Sequence, residues 1–377
     1  MKLLLEWRPE YICRAVDPNV GAEMFQLTSA ALVSHNIYCE SRYCSADGTI
    51  IPFLRSVEGY LCADLWLCDM TNKQVAPVCA HVLGHPAAVH YGNILIFIRE
   101  TEKKQRILMR LDLKTHELNE IMDMKDCPKT HHPVGCISPD ERYYLSNVRI
   151  KDEMYGLYRI ELSTGRWEIF HEHEDICNPH PQYEPSLGRD IMVQHNRGCK
   201  LDENNNIIRL GGEEGATLYL VDSDGGDLRP LPVGKPHTGA ITGHECWIGK
   251  TGRIILTLDP RQFGKTETHI VTPGEGTSRC FIKGLLLGHV SASDDGRFFI
   301  SDDFTNGRIY AAGIKTGRLL PLCETGMSGI TAGCQSNHPH PYMTPDNGYV
   351  IFNSNRTGVP QIWAAKIPDG FLEALEV

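Results

Sequence analysis

The sequence predicts an all-β fold, a seven-bladed β-propeller spanning residues 1–377 as a single domain, because a turn signal recurs, an apolar strand follows each turn, and helical periodicity is nearly absent. The turns fall at Asp47-Gly48, Gly92-Asn93, Asp140-Glu141, Gly188-Arg189, Thr251-Gly252, Asp295-Gly296 and Asn347-Gly348, mostly 40 to 50 residues apart. That is the period of propeller blades. The longer fourth interval contains the polar run LDENNNIIRLGGEEGA, read as an insertion on a loop. After the turns come IIPFLR, ILIFIR, YYLSNV, DIMVQH, IILTLD, FFISDD and VIFNSN, whose β-branched and aromatic residues suit strands. Third strands follow as ADLWLCD, RILMRLD, GLYRIEL, TLYLVD, THIVT, RIYAAGI and QIWAAKI. Sandwiches and barrels do not repeat a four-strand unit seven times. A ring of blades must also close without leaving an unpaired edge. The segment AEMFQLTS at 22–29 is placed to add an outer strand to the last blade, and FLEALEV at the end is the one short helical stretch.

Composition narrows the function classes. Hydrophobic residues make up 41% and charged residues 22%, ordinary for a chain that buries a core. With 37 basic against 47 acidic residues the net charge is −10, which argues against a surface that neutralises many phosphates, so nucleic acid is not an expected partner. The apolar stretch Leu3 to Leu5 is cut short by Glu6 and Arg8, too early for a signal peptide. No window approaches the roughly 18 apolar residues that a membrane span needs. The fourteen cysteines are scattered singly, without a Cys-x-x-Cys pair, and are read as reduced. A soluble, cytoplasmic protein is expected; the sequence leaves its oligomeric state open.

The seventeen histidines carry the functional signal. His85, His131, His132, His180, His237, His244, His289, His338 and His340 all sit just before or within the first strand of a unit, the strand that lines a propeller's central channel. Residues far apart in sequence would therefore converge. The densest run is CQSNHPHPYM, where an extended segment would project His338 and His340 to one side, with Gln335 nearby and Pro339 and Pro341 stiffening the backbone. Imidazoles with amide or water oxygen suit a borderline divalent ion, and the absence of a thiolate favours an open site over a closed structural zinc.

The Q-x-x-H-P-H-P run at 335–341, the G-H-E-x-W run at 243–247 and the blade start HVSASDDGR at His289 resemble the oligogalacturonate lyases, and the resemblance covers nearly the whole chain. It implies a cytoplasmic seven-bladed enzyme of pectin breakdown, with manganese held by Gln335, His338, His340 and a fourth ligand matching His289. It also implies that His244 is the base that removes the C5 proton of a uronate, giving β-elimination from a short acidic oligosaccharide. One departure concerns the substrate: an Arg expected to contact the uronate is replaced by Thr217, and Arg197 or Lys200 stands in as a substitute cation. His180, His195 and His237 are assigned to the wall of the substrate cavity. Two other readings compete: a related propeller enzyme acting on another sugar acid or glycoside, and a non-catalytic propeller scaffold.

Overall fold

The computed structural model describes residues 1–17, 19–38, 40, 42–56, 62–131, 134–151, 154–259, 267–327 and 337–377. These form a seven-bladed β-propeller of antiparallel sheets joined in chain order. Blade 1 consists of Val33–Asn36, Ile50–Ser56, Cys62–Asp69 and the first part of the long strand Gln74–Ala88. The same long strand runs on to become the inner strand of blade 2, ahead of Ile94–Glu100, Arg106–Asp112 and Glu117–Asp123. Blade 3 begins at Cys136–Ile137, blade 4 at Gln182–Tyr183, blade 5 at Ile241–Trp247 and blade 6 at Leu287–Ala292. Blade 7 begins at Tyr342–Met343, and its third strand Gln361–Lys366 pairs with Glu23–Gln26 from the amino-terminal region through Met24↔Ala365, Phe25↔Ala364 and Gln26↔Trp363. The first and last parts of the chain thus share one sheet, which closes the ring without an open edge.

Second strands begin with apolar runs because neighbouring blades cover both of their faces. Ile50–Ser56, Ile254–Leu258 and Phe298–Asp303 are buried at every position, whereas the outer strand Glu117–Asp123 is mostly exposed. The core therefore lies between blades: Leu27, Phe53, Tyr342, Ile351 and Ile362 pack together from blades 1 and 7. The turns recur in chemistry as well as spacing. Ser45, Ser138, Ser293 and Thr344 each donate a hydroxyl hydrogen bond to the Asp two residues on, and this local bonding fixes a tight turn. In blade 2 the residue with left-handed backbone is Tyr91 (φ 61°), one position before the predicted Gly92-Asn93 pair. The polar insertion folds back as a small hairpin, Lys200–Leu201 against Ile207–Arg209, and Phe371–Glu376 is a short helix.

Candidate functional site

Three inner strands lose their regular register, and each irregularity carries a histidine. In blade 2 the shift lies between Leu83 and Ala87 and contains His85; in blade 5 it lies between Ile241 and Glu245 and contains His244. In blade 6 it lies between Leu287 and Val290 and contains His289. Extra residues on one strand of a pair bend it and re-aim a side chain that the pleat would otherwise hold in place. A glycine precedes the histidine every time: Gly84, Gly243 and Gly288. Gly243 has φ 90°, and a Cβ there would come within 2.9 Å of the Gln194 amide oxygen. Gly288 leaves room for the Phe304 ring, which an added Cβ would meet at 2.3 Å. That ring packs edge-on against His289 with 5.3 Å between centroids.

Blades 4 and 7 use a different device, the tripeptide Pro-His-Pro at 179–181 and 339–341. His180 and His340 adopt left-handed backbone, φ 40° and 43°, which costs a non-glycine residue about 1–3 kcal/mol and persists only where surroundings impose it. Matching hydrogen bonds hold both segments: Gln194 N–H to the Pro179 carbonyl at 2.7 Å, and Asn353 N–H to the Pro339 carbonyl at 2.8 Å. Around His340 the restraint is denser. The amides of Asn36 and Asn353 bond each other at 2.7 Å and donate to the carbonyls of His340 (2.8 Å) and His338 (2.9 Å), and the Ser291 hydroxyl donates to that of Pro341 at 2.8 Å. The expectation that His338 and His340 project in parallel from an extended strand is corrected by this geometry. The segment is kinked at His340, the two rings are inclined by 75° with centroids 5.7 Å apart, and His340 is buried while His338 is exposed.

One donor atom each from His289, His338 and His340 lies within 4.8 Å of the others. His338 Nδ1 and His289 Nε2 are 3.1 Å apart. The Asp302 carboxylate accepts from His289 Nδ1–H at 3.0 Å and from the His289 backbone N–H at 2.7 Å, which fixes the tautomer and leaves Nε2 as a lone pair facing the cluster. His340 is buried, and neither ring nitrogen has a hydrogen-bond partner among the described residues. Burial of an unsatisfied polar group is costly. Three imidazoles with a donor atom each turned toward one point are a set that fits a borderline divalent cation. Burial, reinforced by neighbouring imidazoles, holds His340 well below the usual histidine range and also lowers His338, so both stay in the ligating form near neutrality.

His244 stands beside this cluster, its ring centroid 4.5 Å from that of His289. Burial, then His289, His180 and His338, push it well below the ordinary imidazole range, so it is neutral and able to take a proton. His180 bonds through Nδ1 to the buried Glu40 carboxylate; burial alone would lower this histidine, and the Glu40 charge outweighs it and raises it. Glu245, wholly buried next to the base, is pushed up to about 8, chiefly by burial. Sequence reasoning passed over Tyr38, whose ring is 4.7 Å from His340 and 5.3 Å from His180, with His85, His244 and His289 within 6.5 Å. It also passed over Asp302, Asn36 and Asn353. The Gly-His repeat and the paired Pro-His-Pro segments were the available signals.

The remaining expected residues go elsewhere. Gln335 and His132 lie outside the described residues. Arg197 donates to the carbonyls of Gly215 (2.9 Å), Lys235 (2.9 Å) and Glu214 (2.7 Å), which ties down the inserted hairpin's neighbourhood. His195 packs on His173 with 4.7 Å between centroids and on Tyr219 at 5.9 Å, between blades 3 and 4. Burial holds it down to about 4. His237 lines a cavity with Lys235, Thr238, Leu258, Glu267 and His269. His131 packs on Tyr155. Thr217 pairs with His195 across the strands, and its hydroxyl bonds the Val233 carbonyl.

No protein-family model matches the chain. Over nearly its whole length it is homologous to proteins named as lyases. A protein of Dickeya dadantii named oligogalacturonate lyase is 24% identical across 94% of this chain and 95% of its own. One of Pectobacterium atrosepticum named oligogalacturonide lyase is 24% identical with the same coverage. A solved structure described as an oligogalacturonate lyase in complex with manganese matches with a TM-score of 0.78 at 18% identity, covering 97% of this chain and 99% of that one.

Proposed function

We propose that this homologue of the oligogalacturonate lyases is itself a metal-dependent lyase that cleaves short oligogalacturonides by β-elimination. The observation that carries the reading is the neutral His244 ring 4.5 Å from the ring of His289, inside a cluster of imidazoles whose His340 nitrogens lack partners. His289, His338 and His340 would hold a divalent ion, manganese by analogy with the neighbouring structure, and Gln335 is proposed as a further ligand from the sequence run. Bound there, such an ion would supply positive charge beside a uronate carboxylate, which would offset the negative charge that develops when the C5 proton is removed.

The chain's own groups do the rest. His244 accepts the C5 proton, a step that general base catalysis typically accelerates by about 10²–10⁴-fold. The C5–H electron pair becomes the C4–C5 double bond, the C4–O bond breaks, the departing oxygen takes a proton from solvent, and His244 returns the C5 proton to solvent. No water is consumed. Asp302 keeps Nε2 of His289 aimed at the cluster, and the Asn36–Asn353 clamp fixes the backbone of His338 and His340. His180 and Tyr38 border the same space, and we assign them to contact with substrate in this reading. Arg197, with its guanidinium on three carbonyls, supports the loop in this reading rather than the sugar. Among the described residues no helix is long and apolar enough to cross a membrane, and the described cysteines are free thiols, a state that a reducing cytoplasm maintains. The test is a panel of di- and trisaccharides containing galacturonate, glucuronate or other acidic sugars, incubated with manganese and followed by the absorbance of an unsaturated uronate. Product from digalacturonate supports the assignment; product only from another acidic sugar moves the protein to a related substrate, as Thr217 in the place of the expected Arg would allow.

A further inference from the structure

A second group of metal donors lies on blade 5, away from the channel and sharing no residue with it. Glu267 and His269 stand two apart on the strand Glu267–Val271 and so face the same side. Cys280, on the neighbouring strand Arg279–Lys283, is the register partner of His269. The register shifts between Thr268 and His269, and the Cys280 thiol lies 3.8 Å from the Ile282 carbonyl oxygen. One donor atom from each of the three residues lies within 4.8 Å of the others. We propose that Glu267, His269 and Cys280 form a second divalent-cation site of the thiolate-containing, zinc-preferring kind.

The chemistry of the donors favours that class. One thiolate and one carboxylate neutralise a divalent charge, and sulfur beside imidazole selects zinc over manganese, magnesium or calcium. His269 is nearly buried at 6% exposure, and its ring is already oriented. Nδ1 is 2.9 Å from the Ser278 hydroxyl and Nε2 is 3.0 Å from a Glu267 carboxylate oxygen. With Ser278 accepting from Nδ1–H, Nε2 would present its lone pair toward Glu267, and a cation can sit between them. A hydrogen bond to the outer nitrogen is the usual support of a ligating histidine. At bond lengths near 2.0–2.3 Å, donors of one tetrahedral ion stand roughly 3.3–3.8 Å apart, so small rotations of the three side chains close the present spacing. Lys283, 3.7 Å from Glu267, is 71% exposed and free to swing into solvent as the ion enters. Glu267 and His269 also line a cavity of about 420 Å³ with Lys235, Pro236, His237, Thr238, Gly239 and Leu258. That cavity offers an entry path and space for a water or His237 in the fourth position. Binding releases the Cys280 thiol proton, so affinity falls as pH drops.

Cobalt distinguishes this site from the channel, because the channel histidines include no thiolate and a cobalt–thiolate bond gives an intense near-ultraviolet charge-transfer band. The full chain, stripped of metal and titrated with cobalt, is expected to take a second equivalent that brings up this band. Cys280→Ser should lose the band and the second equivalent while keeping the first, and His269→Ala should do the same. If His269→Ala fails to fold, the near-isosteric Cys280→Ser decides alone. A cobalt-loaded wild type without the band overturns the proposal, as does a band that survives in Cys280→Ser.

Discussion

Two dense groups of histidines, one between blades 3 and 4 and one in the channel, differ in what their surroundings leave unsatisfied. In the gap between blades 3 and 4, His171, His173 and His195 surround Tyr219, with ring centroids 5.5 to 5.9 Å from that of the tyrosine. There His171 is satisfied on both sides, by the Tyr219 hydroxyl at 2.9 Å and the Gly225 carbonyl at 3.1 Å. In the channel, His340 is buried with neither nitrogen bonded among the described residues, and the Nδ1 of His244 is likewise without a partner there. Both groups are dense in imidazole. What separates them is hydrogen-bond accounting: a buried polar group left unpaired costs about 1–3 kcal/mol, so its persistence points to a ligand the fold expects.

The comparison breaks most sharply at His340. His340→Ala should abolish metal binding in the channel and reduce lyase turnover to background, while the melting temperature moves by only a few degrees, because inter-blade packing holds the ring together. Metal content beside a thermal melt checks this, and global unfolding would make the ion structural.

His244→Ala should retain the channel metal and lower turnover by about 10²–10⁴-fold. Loss of metal in that variant would turn His244 into a ligand and leave the base to be found elsewhere.

Asp302→Asn keeps the shape but weakens the acceptor for His289 Nδ1–H, and channel metal affinity should drop by about 10–100-fold. Competitive titration with a chelator reads this directly; unchanged affinity would mean that packing against Phe304 alone orients His289.

A buried neutral imidazole also leaves a signature in stability. His35, 0% exposed, is held at about 3 by burial with a contribution from His85, below an unfolded value near 6.5. Its folded pKa is depressed, so its contribution is complete above pH 6.5 and declines as pH falls from there toward 3. At pH 5 the loss is roughly 2 kcal/mol, about 2–3 °C in melting temperature for a chain of this size. The slope of stability against pH between 7 and 5 should flatten in His35→Leu, and an unchanged slope would assign it to other groups.

The smallest effect is reserved for the satisfied cluster. His171→Gln should cost about 1 kcal/mol of stability through its bonds to Tyr219 and Gly225, with turnover within about two-fold of wild type. A large drop in turnover would erase the distinction between the two groups.

The sequence alone determined the repeat. Second strands with apolar starts, such as IIPFLR and FFISDD, spaced by Ser-x-Asp turns, specify blades because turn bonding is local and burial on both faces favours apolar residues. It also placed His244, His289, His338 and His340 at blade starts, where imidazoles can converge, but it placed His131 and His237 there too, and those two pack away from the cluster. Tertiary structure alone decided which histidines meet. His195 reads in sequence much like His180, yet one packs on Tyr219 between blades and the other bonds Glu40 beside the channel. Where a ring ends up depends on register shifts at Gly84, Gly243 and Gly288, on left-handed backbone at His180 and His340, and on partners such as Asp302 and Asn353 contributed by other strands. Those are properties of paired strands and packed blades. A one-residue difference in pairing redirects a side chain to the opposite face, and no single segment carries the information that sets it.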